Sequence, residues 1–148
     1  MAQSEASLIN ASVMITGYGR IGKALHRYLS CYTNSITVCA RNPAQLALAS
    51  ACGAKAVSLD SLTVHLPQDY LFNTIPHPIF DYATLSALGK ETELIDLASF
   101  PGGVDEHAAR VLRTKLTVAR GLPGKYAPKS AGYAVADAVE GLLKEVIT

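Results

Sequence analysis

Short apolar runs alternate along this chain with longer stretches whose apolar positions recur every three or four residues, the pattern of parallel strands covered by helices. The first run, Val13-Met14-Ile15-Thr16, leads directly into a stretch that sets Ile21, Ala24, Leu25, Tyr28 and Leu29 on one helical stripe, predicted to cover the sheet. Ile36 to Ala40 reads as the second strand. Asn42-Pro43 is a cap followed by proline at the first helical position, opening a helix to about Cys52 that Gly53 stops. Ala54 to Leu59 is a short third strand. Asp60 to Gln68 reads as a short helix or a loop, with Asp60 or Ser61 as its cap and Pro67 as its end. Tyr70 to Asn73 is a fourth strand, behind which Pro76 and Pro78 force a loop. A helix from about Asp81 to Leu88, a fifth strand Glu93 to Asp96, an irregular loop Ser99 to Gly103 and a helix from about Val104 to Leu112 follow. The sixth strand is Leu116 to Ala119, the loop Arg120 to Lys129 is rich in Gly and Pro, and Ser130 to Ile147 closes as a long helix.

Right-handed crossovers with a single reversal after the third strand give the order 3-2-1-4-5-6, a Rossmann-type doubly wound parallel α/β sheet of six strands. The ligand crevice of such a sheet lies at the carboxyl ends of strands one and four. The irregular loops after strands one, four, five and six all fall on that edge, where a purely structural fold has no need of them. With 148 residues there is room for one domain: residues 1–11 read as an N-terminal extension or linker and residues 12–148 as the domain. A formal charge of +1 without basic runs argues against nucleic acid and against an anionic membrane surface. Cys31, Cys39 and Cys52 show neither a disulfide framework nor metal-ligand spacing, so no metal is expected and a reducing cytoplasm is. Neither a secretory leader nor a membrane span is predicted.

The turn from strand one into its helix is Gly17-Tyr18-Gly19-Arg20-Ile21-Gly22, a G-x-G-x-x-G pattern. In a dinucleotide-binding unit the first glycine permits the turn, the second lets the backbone approach a pyrophosphate, and the third lets helix pack on strand. Free N–H groups at the helix start then face the anion. The motif alone is weak, and the end of strand two discriminates. An NAD site ends that strand in a carboxylate about 20 residues past the glycines. Here Arg41, with Asn42 behind it, stands 19 residues past Gly22. A guanidinium pairs with a 2′-phosphate that a carboxylate would repel, which favours NADP over NAD. The alternative is a solvated arginine opening a loop.

Asn73-Thr74-Ile75-Pro76 would lie under the nicotinamide ribose, offering an amide and a hydroxyl; an ordinary Asx or ST turn is the competing reading. His77 reads as an exposed loop histidine, Asp96 as a structural carboxylate that caps the next loop or orients a donor, and Cys39 as a small core residue.

The segment Ile95 to Gly103, containing Ala98-Ser99-Phe100-Pro101-Gly102-Gly103, and the segment Ala119-Arg120-Gly121-Leu122-Pro123-Gly124-Lys125-Tyr126-Ala127-Pro128-Lys129-Ser130-Ala131-Gly132 together resemble the family of A-type dipicolinate synthase subunits. The likeness takes in Gly17 to Gly22, Ala40-Arg41 and Asn73 to Pro76, and covers the chain from about Ser12 onward. It implies oxidation of a dihydrodipicolinate-type ring to dipicolinate, with hydride passing to NADP, in the mother-cell cytoplasm of a sporulating bacterium. It also implies a flavoprotein-like second synthase component, of the B type, as partner, and an N-terminal domain ahead of the nucleotide-binding one that this sequence lacks. Ala98 and Ser99 join the cofactor side on that likeness, and Pro101, Pro123 and Gly124 the substrate side.

A dicarboxylate site can be argued from the residues themselves. Lys125 and Lys129, with Arg120 nearby, place cations on the strand-six loop, while Gly102 and Gly103 expose backbone N–H groups on the neighbouring loop and Ser130 adds a hydroxyl at a helix start. Solvated lysines and turn glycines are the alternative. No catalytic base is identified, a homo-oligomer is compatible with the sequence, and a non-catalytic dinucleotide-sensing module of the same fold is the competing function.

Overall fold

The computed structural model describes residues 8–121. Its elements are β1 (Val13–Thr16), α1 (Arg20–Leu29), β2 (Ile36–Ala40), α2 (Pro43–Ala51), β3 (Lys55–Ser58), a 3₁₀ helix (Leu59–His65), β4 (Tyr70–Asn73), α3 (Tyr82–Ser86), β5 (Glu93–Asp96), α4 (Glu106–Val111) and β6 (Lys115–Val118). All neighbouring strands are parallel and the order is β3-β2-β1-β4-β5-β6, as the pattern predicts. The doubly wound Rossmann arrangement is therefore established, with its reversal between β1 and β4.

Alternation along the strands builds two cores. Met14, Leu71 and Leu94 face Phe80, Leu85, Ala108 and Ala109 on the side of α3 and α4. Val13, Ile15 and Val38 face Leu29 and Ala49 on the side of α1 and α2. Because central strands are covered on both faces, every position of β1 and β2 is buried, Thr16 and Thr37 included, rather than every second one.

The predicted stripe of α1 requires correction. Leu25 and Leu29 face the sheet, but Ile21, Ala24 and Tyr28 are exposed, and the buried face is Gly22, His26 and Leu29 with Leu25 half-buried between them. The cause is Gly22: a Cβ there would strike the carbonyl oxygen of Gly17, so this position must point inward. Helical spacing then carries residues 25, 26 and 29 inward with it. His26 is tolerated because the Tyr18 hydroxyl meets its Nδ1 at 2.7 Å.

Other boundaries move slightly. Residues 59–65 form the 3₁₀ helix, capped by Ser58 rather than by Asp60 or Ser61. α3 and α4 are shorter than predicted and begin behind the caps Asp81 and Asp105. β3 is trimmed to Lys55–Ser58 and β6 starts one residue early. The predicted helix over Ser130 to Ile147 lies outside the described residues.

At the amino edge of the sheet, the backbone N–H and the hydroxyl of Ser12 both donate to Asp69 Oδ2 at 2.7 Å, and the Asp69 N–H returns a bond to Ser12 Oγ at 3.0 Å. These bonds to the ionised form hold the Asp69 carboxyl below the ordinary carboxylate range. A depressed folded pKa contributes stability above the unfolded value that is lost as pH falls through the folded one. Asp69→Asn is accordingly expected to lower stability at pH 7 by roughly 0.5 kcal/mol, a figure already discounted for screening at an exposed site. Urea unfolding of the two proteins should show that gap closing as pH falls below the carboxylate range.

Candidate functional site

The three glycines of the first loop have separate tasks. Gly17 has φ +88, and the space beside it is filled by Thr74 Oγ1 and Ile75 Cγ1, at 2.5 and 2.9 Å from where a Cβ would lie. Its N–H donates to the Cys39 carbonyl at 2.8 Å, and the Thr74 hydroxyl donates to the Thr16 carbonyl at 2.8 Å. Gly22 seats α1 against the turn, as described. Gly19 differs from both: a Cβ there would have nothing within 4 Å, because it faces open space.

That space is a crevice of about 460 Å³, bounded by Gly17 to Ile21, by Ala40, Arg41, Asn42 and Gln45 at the end of β2 and start of α2, and by Thr74, Ile75 and Pro76 behind β4. α1 begins at Gly19 with no side-chain cap and no acid in its first turn. The other described helices are capped by their own side chains: Asn42 accepts from the Ala44 N–H, Ser58 from Asp60, Asp81 from Thr84, and Asp105 from His107 and Ala108. The N–H groups and dipole of the α1 terminus thus meet the crevice without a protein anion. Arg41 is exposed on the opposite wall and forms no ion pair among the described residues. An anionic ligand with an extended body fits these walls.

The Tyr18 ring does not reach this crevice. It is 2 % exposed and packs into the α1 side of the core, so only its backbone lines the loop. Asn73 likewise offers nothing to a ligand. Its amide is fully buried, with Oδ1 accepting from Thr16 Oγ1 at 2.8 Å and Ile75 N at 3.0 Å, and Nδ2 donating to the Ile75 carbonyl at 3.1 Å and Asp96 Oδ1 at 2.8 Å. With the Thr74 hydroxyl also engaged on the Thr16 carbonyl, the segment is an Asx turn, the competing reading of these residues.

Beyond β4 the edge is organised by Asp96, at 0 % exposure. It accepts from Asn73, from the Ala98 N–H at 3.2 Å and the Gly103 N–H at 3.4 Å, and it pairs with Arg120 Nη2 at 3.4 Å. The same Nη2 reaches Glu106 at 3.1 Å, while Arg120 Nε is buried without a partner among the described residues. Gly102, with φ +93, and Gly103 are buried against these groups: a Cβ on the first would strike the Arg120 guanidinium and one on the second the Asn73 amide. Their N–H groups are not bare. Gly102 donates to the Ser99 carbonyl at 2.8 Å and Gly103 to Asp96. Arg120 is similarly no free cation. Ala98 is buried, whereas Ser99, Phe100 and the cis-linked Pro101 are exposed on the loop, Phe100 at 86 %. Pro123, Gly124, Lys125, Lys129 and Ser130 lie outside the described residues.

His77 is exposed, as expected of a loop histidine. No group of three metal-ligating side chains occurs among the described residues, and no described helix is long and apolar enough to cross a membrane. Gln45 is a crevice residue that sequence pattern alone does not single out. It stands three residues past the Asn42 cap, a spacing that returns a side chain to the helix start.

No protein-family model matches the chain. Over 144 residues, 97 % of its length, it is 34 % identical to the A-type dipicolinate synthase subunit of Bacillus subtilis (strain 168). The crystal structure of that A chain superposes with a TM-score of 0.88 over 97 % of this chain. This chain is a relative of the A-type dipicolinate synthase subunits. The corresponding protein from Bacillus halodurans agrees, with 32 % identity and a TM-score of 0.87 over 95 % of this chain. In both comparisons the chain spans about half of the relative, 48 % of its length. Glutamyl-tRNA reductase from Methanopyrus kandleri shares the fold, at 24 % identity over 77 % of this chain and 31 % of its own, with a TM-score of 0.62.

The Asn73 amide and the Asp96 carboxylate, both fully buried, support each other. Asn73→Leu keeps the volume and removes the donor, leaving a buried carboxylate with one partner fewer. A loss of about 3 kcal/mol is expected in guanidinium unfolding at pH 7. Thr74→Val, which removes a partly buried hydroxyl, should cost about 1 kcal/mol by the same measurement.

Proposed function

We propose that this chain is the NADP-binding unit of an oxidoreductase of the dipicolinate synthase type, residues 12–148 forming its dinucleotide-binding domain. The observation that carries the reading is the pairing of an uncapped α1 terminus, opened by Gly19, with an Arg41 that has no ion-pair partner among the described residues, across one crevice. The pyrophosphate is held by the N–H groups of Gly19 to Gly22, and the 2′-phosphate by Arg41, with Asn42 and Gln45 beside it. Thr74, Ile75 and Pro76 form the wall under the nicotinamide end, with Ala98 and Ser99 beyond. When bound, the nicotinamide supplies the hydride acceptor.

The substrate is a dihydrodipicolinate-type dicarboxylate, oxidised to dipicolinate, and it meets the cofactor beside the exposed Pro101, with Pro123, Gly124, Lys125, Lys129 and Ser130 as its further partners, while the buried Gly102 and Gly103 shape the backbone beneath it. The likeness to relatives about twice as long as this chain supports a substrate cleft completed by further protein, and the designation of those relatives as one subunit of a synthase supports a second, B-type component as partner. The setting is the mother-cell cytoplasm of a sporulating cell.

Calorimetry on this chain tests the cofactor reading. NADPH is expected to bind about 10- to 100-fold more tightly than NADH, the range of one or two charge-assisted hydrogen bonds. Arg41→Ala should abolish that preference while leaving NADH binding intact; equal affinities in the unsubstituted chain would overturn the 2′-phosphate assignment. Gly19→Ala separates binding from folding, since the new methyl meets no protein atom. Its unfolding midpoint should be unchanged while affinity for both dinucleotides falls at least tenfold, the methyl standing where the pyrophosphate approaches.

A further inference from the structure

We propose that Arg120 is the receptor for one carboxylate of the substrate, and that Glu106 is a stand-in which the incoming carboxylate replaces. The ligand follows from the dicarboxylate reading of this edge, on which the proposal rests. Arg120 stands just past β6, and the Ala119 N–H beside it donates to the Asp96 carbonyl at 2.9 Å. The buried Asp96 is bonded in turn to the Asn73 amide, which also holds the Ile75 carbonyl in the crevice wall. One Asp–Asn pair therefore links the guanidinium to the crevice.

The guanidinium is paired below its capacity. Arginine grips a carboxylate best through two parallel N–H bonds of about 2.7–2.9 Å, and Nε with Nη2 forms one such edge. Here Nη2 alone serves both acids, Asp96 at 3.4 Å and Glu106 at 3.1 Å. Its neighbour Nε is buried without a partner, and no other buried side-chain nitrogen or oxygen is left so among the described residues. A buried donor without an acceptor is costly. A planar carboxylate lying across Nε and Nη2 satisfies it and makes two bonds where Glu106 makes one. Lysine, a point charge, could not use the same geometry.

The two acids differ in their freedom to leave. Asp96 is fully buried and accepts from Asn73, Ala98 and Gly103, so it stays. The Glu106 side chain is 48 % exposed and its carboxylate has no second partner among the described residues, so water takes it back at little cost. One carboxylate leaves as another arrives, and the charge around Arg120 and Asp96 is unchanged. A neutral ligand offers no such exchange. The fork is open to entry, since the Arg120 side chain is 27 % exposed and the loop from Ser99 to Pro101 is exposed ahead of Gly102. Gly102 itself packs on the guanidinium, where a Cβ would strike it, so bare backbone supports the fork from that side.

Heteronuclear NMR of the full chain, with and without NADPH, reads the exchange at the atom concerned. The Arg120 Nε–H signal is assigned by its loss in Arg120→Lys. Dipicolinate is the probe, and the corresponding dicarboxamide, of similar shape without the charge, is the control. Dipicolinate should move the Nε–H signal downfield, as a donor gaining a charged acceptor does, and the dicarboxamide should not. Glu106→Gln removes the competitor and is expected to tighten dipicolinate about three- to fivefold, the reach of an exposed ion pair. Arg120→Lys should weaken it at least tenfold and cancel the gain from Glu106→Gln. A Glu106 that merely supported the loop could not tighten a ligand by its removal. Dipicolinate bound without movement of the Nε–H signal, or bound no more tightly by Glu106→Gln, overturns the exchange. Acetate that binds as tightly as dipicolinate, with the same Nε–H movement, keeps the receptor and overturns the dicarboxylate reading. A chain in which neither anion moves the signal overturns the receptor, and NADPH binding still decides the cofactor crevice.

Discussion

A buried carboxamide has four hydrogen-bonding positions to fill, two on each polar atom, and the Asn73 amide fills all four by joining three segments. Thr16 closes β1, Ile75 begins the loop that walls the crevice, and Asp96 closes β5. The register makes this possible, since Asn73 lies opposite Thr16 on one side and Asp96 on the other. The reversal of strand order falls between β1 and β4, where the crevice opens and no crossover helix bridges the gap. Side-chain bonds at 2.8 Å do there what a connecting segment would otherwise do.

Two kinds of backbone requirement surround that junction. Close packing demands glycine at positions 22 and 103, where any side chain would meet a carbonyl oxygen or the Asn73 amide, so those glycines serve the fold. Open space surrounds position 19, so the same residue type there serves whatever enters the crevice. Pattern matching treats the glycines of the first loop alike, while the structure divides them into packing and approach. The helix termini divide in the same way: four described helices satisfy their first N–H groups with their own side chains, and α1 leaves its terminus to the crevice.

Strand order and strand positions were legible because each central run is short and mostly apolar and turn signals such as Gly53 and Gly89 separate the runs. The Asn42 cap and the crevice around Gly17 to Ile21 and Arg41 were legible for the same local reasons. What escaped was tertiary. Hydrophobic spacing alone put Ile21 and Tyr28 inward on α1, because nothing local shows that Gly22 must face the turn and bring a hydrogen-bonded histidine with it. Sequence spacing could suggest that Asn73 and Arg120 lie at the ligand edge, but not that their polar atoms are spent on Asp96, 23 and 24 residues away.

The Asp96 cluster also constrains how any anion can be recognised at this edge. Two carboxylates and one guanidinium meet there, Asp96 and Glu106 on the same Arg120 nitrogen. The two acids are not equivalent. Asp96 is fully buried and held by Asn73 and two backbone N–H groups, so separating it from its partners would strand a charge without water at a cost of several kcal/mol. The Glu106 side chain is 48 % exposed, and an ion pair of that kind contributes about 0–1 kcal/mol. A ligand carboxylate that takes Arg120 therefore replaces Glu106 and leaves Asp96 in place. Arg120 then presents an edge whose direction is fixed from beneath by the same carboxylate that orders Gly103 and Asn73, so the carboxyl ends of β4 and β5 are aligned by one buried charge.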